Sequence, residues 1–104
     1  MMRLADYQAF TPTTNLAATS AHINNGLIAE VGEVFGVYQK FYRGDFDQGE
    51  KTRRLIKELG DVMWYLSELA NLENIDLETV LDINMRNLKN RQKREKLQGD
   101  GDFR

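Results

Sequence analysis

The sequence predicts an all-α protein, an antiparallel helix bundle made as one domain over residues 1–104. Three observations carry this. Apolar residues recur at helical spacing through long segments, and the single proline, Pro12, lies outside them. Two acidic pairs, Glu30 with Glu33 and Glu58 with Asp61, recur at an offset of 28 positions inside two such segments. At 104 residues the chain can bury a modest core but gains from association, so a homodimer or homotetramer is expected.

A short N-terminal helix holding Leu4, Tyr7, Gln8 and Phe10 should end before Pro12, because the residue preceding proline is pushed out of the α region. Thr11 to Thr19 reads as a loop. Thr19 or Ser20 can cap a long helix to about Tyr42, with Ile23, Leu27, Val31, Val34, Tyr38 and Phe41 on one stripe and Gly44 as its stop. Arg43 to Gly49 makes a short connection suited to an antiparallel pair. The second long helix is expected from about Glu50 to Glu73, with Leu55, Leu59, Val62, Leu66 and Leu69 as its stripe. Asp76 is a good cap for a third, with Ile75 and Val80 placed as a hydrophobic staple. That helix carries Val80, Leu81, Met85 and Leu88 and fades near Lys96, leaving an irregular tail over about 97–104.

The acidic pairs border the apolar stripes instead of opposing them. Residues three apart on a helix lie about 60° apart around its axis and about 4.5 Å along it, so each pair presents two carboxylates on one face. The 43–49 turn folds the chain about residues 45–46, which brings both pairs level. Four carboxylates with no Lys or Arg inside either pair repel one another, and a divalent cation resolves the conflict. Oxygen ligands alone favour Mg²⁺ or Mn²⁺ over zinc. Gly32 and Gly60 occupy matching places within the pairs, and a helical glycine costs about 1 kcal/mol relative to alanine, so close helix approach is expected there. The competing reading is two amphipathic helices with solvated acidic flanks.

Composition narrows the class. With no cysteine there is neither a disulfide framework nor a thiolate site. No apolar run approaches the ~20 residues needed to span a bilayer and no hydrophobic signal segment opens the chain, so a cytoplasmic protein with no membrane association is expected. Residues 1–85 hold seven basic and thirteen acidic side chains, whereas 86–104 hold seven basic and three acidic. The acidic body repels nucleic acid and no groove-reading motif is present, so no nucleic-acid partner is expected. A di-iron bundle would need Glu-x-x-His pairs, and none exists.

Glu30-x-x-Glu33, twenty-four intervening residues and Glu58-x-x-Asp61 resemble the signature of the MazG-like all-α nucleoside triphosphate pyrophosphohydrolases. The likeness extends through Gly26 to Glu33, through Glu58 to Leu66, to Asn84, and to the Gly99–Arg104 ending. It implies Mg²⁺-dependent cleavage of (deoxy)nucleoside triphosphates between the α and β phosphates, in nucleotide-pool control. Glu30, Glu33, Glu58 and Asp61 would be the metal ligands and catalytic acids, with Glu33 or Glu30 accepting a proton from the attacking water. Asn84, Lys89 and Arg91 would contact phosphate or sugar. The sequence departs from the family pattern at Asn87, where Lys is usual, which shifts that role toward Lys89, Lys93 or Arg94. Ala29 also replaces an acid found in some branches.

Two aromatic residues are further substrate-contact candidates. His22, the only histidine, is placed either as a surface residue near a helix start or as a substrate contact. Trp64, three residues after Asp61, is placed either to stack on a base or to pack in the core. Tyr38, Tyr42 and Tyr65 read as core or subunit contacts. The alternative function is a non-catalytic helical dimer, an interaction module whose acids bind a structural metal.

Overall fold

The computed structural model describes residues 2–16 and 19–98. Every regular element among them is helical: α1 (Leu4–Phe10), a 3₁₀ turn (Thr11–Thr14), α2 (Ser20–Tyr42), α3 (Gln48–Leu72) and α4 (Leu77–Gln98). The all-α expectation therefore holds. The 3₁₀ turn replaces the first part of the expected loop, and Pro12 fits because the opening N–H groups of a helical turn have no internal partner.

Capping chemistry sets the helix ends. Thr19 Oγ1 accepts from His22 N at 3.1 Å and starts α2. Gly44 ends it in the left-handed region at φ 88°, where Asp45 N donates back to Lys40 O at 3.0 Å. α3 begins two residues before the expected Glu50, because Asp47 Oδ1 accepts from Glu50 N at 2.9 Å and supplies the cap. It ends on Asn74 at φ 56°, with Ile75 N donating to Ala70 O at 2.8 Å. α4 follows Asp76, whose carbonyl accepts from Val80 N at 3.2 Å, and continues to Gln98, slightly past the expected end. The Gly99–Arg104 segment lies outside the described residues.

α2 and α3 run antiparallel and form the main interface, α1 and the 3₁₀ turn hook over α3, and α4 leans on α1. Among the described residues the buried apolar side chains are few: Ile23, Val37, Ala70 and Leu77. A polar knot fastens the hook. Glu68, buried on α3, accepts from Thr11 Oγ1 at 2.8 Å, from Asn71 Nδ2 at 3.1 Å and from Asn15 Nδ2. Since Thr11 donates to a carboxylate that can only accept, Ser67 is the donor in the 2.7 Å Ser67–Thr11 contact. Gln8 accepts from Leu77 N and donates to Ile75 O, both at 2.8 Å, which ties α1 to the α3–α4 connection. Burial pushes the Glu68 carboxyl up, but the bonds from Asn15, Thr11 and Asn71 outweigh it and hold the acid below its ordinary value.

Much of the expected apolar stripe is not covered within one chain. Val31 on α2, Leu59 and Leu66 on α3, and Leu81, Met85 and Leu88 on α4 are exposed, as are Ile28, Phe35 and Ile56 beside the stripes. The staple residues Ile75 and Val80 are exposed as well. A helix pair covers one strip of each member, and the wide stripes exceed it. The accessible surface of 7911 Å² compares with about 6000 Å² for a compact monomer of this mass.

Candidate functional site

The acids come together at mid-length of the α2–α3 pair. One carboxylate oxygen each from Glu30, Glu33 and Glu58 lies within 4.8 Å of the other two. Their depths differ. Glu33 is exposed at the rim, while Glu30 Oε2 and Glu58 Oε2 are buried and meet no hydrogen-bond donor among the described residues. Asp61 falls outside this trio but stands close enough to act on it. The Glu30 carboxyl is raised above its ordinary value by burial first, then by the charges of Asp61, Glu33 and Glu58, with Lys57 opposing.

Two acids from different helices, each with an orphaned buried oxygen and both clustered with a third, fit a divalent cation. A buried acceptor with no partner costs about 1–3 kcal/mol, which a coordinated ion removes. An all-oxygen donor set suits a hard ion such as Mg²⁺. The glycine expectation needs correction. A Cβ added at Gly32 or Gly60 would meet nothing within 4 Å, so neither brings the helices together. The tight place is Gly26, one turn before Glu30, where an added Cβ would run into the end of the Tyr65 ring. Gly26→Ala should overpack this contact, costing about 1–3 kcal/mol and lowering the thermal midpoint by about 5 °C or more in a melting experiment.

A basic wall adjoins the acids. Lys40, Arg53, Arg54 and Lys57 line a cleft of about 610 Å³ together with Glu33 and Glu58. These cations were not among the residues singled out from the sequence, although their spacing was readable: Arg54 precedes Glu58 by one turn and Lys57 precedes Asp61 by one turn. Arg53 and Arg54 are both paired with Glu50. Lys57 Nζ lies 3.1 Å from Asp61 Oδ2 and 3.4 Å from Glu58 Oε1.

The aromatic candidates separate. Trp64 Nε1 donates to Thr14 Oγ1 at 2.8 Å and its ring packs edge-on against Tyr65 at 4.9 Å, so it is engaged by the N-terminal hook. His22 is exposed at the start of α2, its ring 6.4 Å from that of Tyr65. Tyr65, read from the sequence as a core or subunit contact, stands one turn beyond Asp61 and faces Gly26. Asn84, Lys89 and Arg91 are exposed on α4, and no α4 residue lines the acid-bearing cleft. Within one chain these three are not brought to the acids.

The all-helical chain thus brings three acids from two antiparallel helices, Glu30, Glu33 and Glu58, into one carboxylate cluster. The chain belongs to the MazG nucleotide pyrophosphohydrolase family, since the profile of the MazG nucleotide pyrophosphohydrolase domain matches residues 18–95. It is 39% identical over 87 residues to the Gene 37 protein of Mycobacterium phage L5, covering 81% of this chain and 75% of that protein. No solved structure matches it. No helix among the described residues is long and apolar enough to cross a membrane.

Proposed function

We propose that the protein hydrolyses (deoxy)nucleoside triphosphates to the monophosphate and pyrophosphate in a Mg²⁺-dependent reaction, with Mn²⁺ as a possible substitute. The observation that carries this reading is the convergence of Glu30, Glu33 and Glu58 within 4.8 Å, with two buried oxygens lacking donors. Membership of a nucleotide pyrophosphohydrolase family supports the reaction class. Glu30, Glu33, Glu58 and Asp61 would hold the ion. When bound, Mg²⁺ offsets negative charge on the phosphate oxygens as the transition state forms.

The remaining work falls to this chain's side chains. Glu33 is the acid at the solvent-facing rim, and we assign it the proton from the attacking water. Lys40, Arg53 and Arg54 form the cationic wall of the cleft and would neutralise the departing pyrophosphate. Asn84, Lys89 and Arg91 serve as substrate contacts in this proposal only if α4 of a second copy supplies them, and Tyr65 and His22 border the place for base or sugar. Pyrophosphate release from a panel of ribo- and deoxynucleoside triphosphates, with and without Mg²⁺, tests the reading. Metal-dependent release is the expected result. Metal binding with no release would favour the non-catalytic interaction module.

The same proposal includes assembly. Exposed apolar faces on α2, α3 and α4 and the surplus accessible surface are consistent with a homodimer or homotetramer. Light scattering at micromolar concentration should give at least twice the monomer mass, and a monomer would contradict this part.

A further inference from the structure

Lys57 occupies an unusual place among the cations of the cleft. Arg53 and Arg54 are paired with Glu50, whereas the Lys57 ammonium sits between Glu58 and Asp61 at 3.4 and 3.1 Å. The two acids that it bridges are candidate ligands from the same helix. Its own side chain is 70% exposed, while that of Glu58 is 12% exposed. The ammonium therefore covers one oxygen of a largely buried acid, Oε1, and leaves the other, Oε2, without a donor.

A divalent ion and an ammonium cannot both take these oxygens without mutual repulsion. The ion carries the larger charge and suits oxygen donors, so it displaces the ammonium. The lysine can leave easily, since an exposed ion pair is weak and the side chain is a flexible four-carbon stem with a hydrated head. The space beside it is the cleft that Lys57 already lines with Lys40, Arg53 and Arg54.

We propose that Lys57 is a placeholder cation, which holds Glu58 and Asp61 in the metal-free protein and, once displaced by the metal ion, turns into the cleft to pair with the phosphate tail of the nucleotide. The inference rests on the nucleotide-hydrolysing reading above. It assigns Lys57 a specificity that its neighbours lack: it links metal loading to phosphate binding. The ammonium remains protonated throughout, and no bond is made or broken by this exchange of partners.

Lys57→Met, which keeps the stem and removes the charge, provides the test in the full-length protein. Mn²⁺ binding without nucleotide, followed by electron paramagnetic resonance of the free ion, should tighten about fivefold because a competitor is gone. The KM for the triphosphate under saturating Mg²⁺ should rise about tenfold, and Lys57→Arg should recover most of that loss. Unchanged or weaker Mn²⁺ binding by Lys57→Met, or an unchanged KM, overturns the placeholder role while leaving the metal-dependent reading standing. If the wild-type protein binds no Mn²⁺, both fall together.

Discussion

Asp61→Asn is expected to reduce pyrophosphate release by about three orders of magnitude while the metal-free protein keeps or gains stability. The two halves of this result have one cause. Asp61 is the foremost charge raising the Glu30 carboxyl, after burial itself. A carboxyl raised in the folded state holds its proton more tightly there than in the unfolded chain. Metal-free stability then falls as pH climbs from the ordinary value of 4.5 through the raised one, and stays lower at neutral pH. Replacing Asp61 by its neutral isostere reduces that repulsion, so the decline with pH should shrink. Loss of the Lys57–Asp61 pair offsets little, because Lys57 is exposed. Melting in EDTA at acid and neutral pH, beside melting in Mg²⁺, measures each part; the stabilisation by Mg²⁺ should shrink in the variant. Glu33→Gln should also abolish turnover with the fold intact.

The second large effect lies away from the site. Glu68→Ala should cost about 3 kcal/mol, because Thr11, Asn15 and Asn71 all direct donors at this buried carboxylate and would lose their acceptor. The sign of the pH dependence is opposite to that of Glu30. The folded Glu68 is depressed, so its stabilising contribution is present above the ordinary value and is lost as pH falls through the lower folded one. Urea denaturation at neutral and acid pH reads this. The wild-type advantage over Glu68→Ala should be full near neutrality and disappear in acid. A variant that unfolds at the same urea concentration as the wild type would show that the knot does not hold the hook.

What was legible in the sequence was local or followed from one turn. The acidic pairs could be placed level because both sit at similar distances from a short connection that glycine and aspartate terminate, and the structure puts Gly44 and Asp47 in those roles. The 3.6-residue period identified α2, α3 and α4, since it is written into each segment without reference to the others. The knot around Glu68 was not legible. Two of its three partners, Thr11 and Asn15, lie more than 50 positions away in and just after the 3₁₀ turn, and nothing local joins Thr11 to Ser67. A weak sign existed, as Glu68 is a charge set between Leu66, Leu69 and Ala70. The glycine reading failed for a related reason. A helical glycine reports that something is unusual but not what faces it, and only the packing distinguishes Gly26, pressed on Tyr65, from Gly32 and Gly60, which face open space. The placement of α4 was equally hidden, because its apolar residues specify a covered face without specifying by which chain.

The bond that is cut tests the central claim most directly. If the acids hold the ion and the basic wall of the cleft neutralises the far phosphates, the pyrophosphate is the group best stabilised as it leaves, and water should enter at the α phosphorus. Hydrolysis in ¹⁸O-labelled water with Mg²⁺ should place the label in the nucleoside monophosphate and release pyrophosphate intact, and a nucleoside diphosphate should be a poor substrate. Inorganic phosphate as the main product, with a diphosphate left behind, would contradict the account even if the carboxylates bind metal.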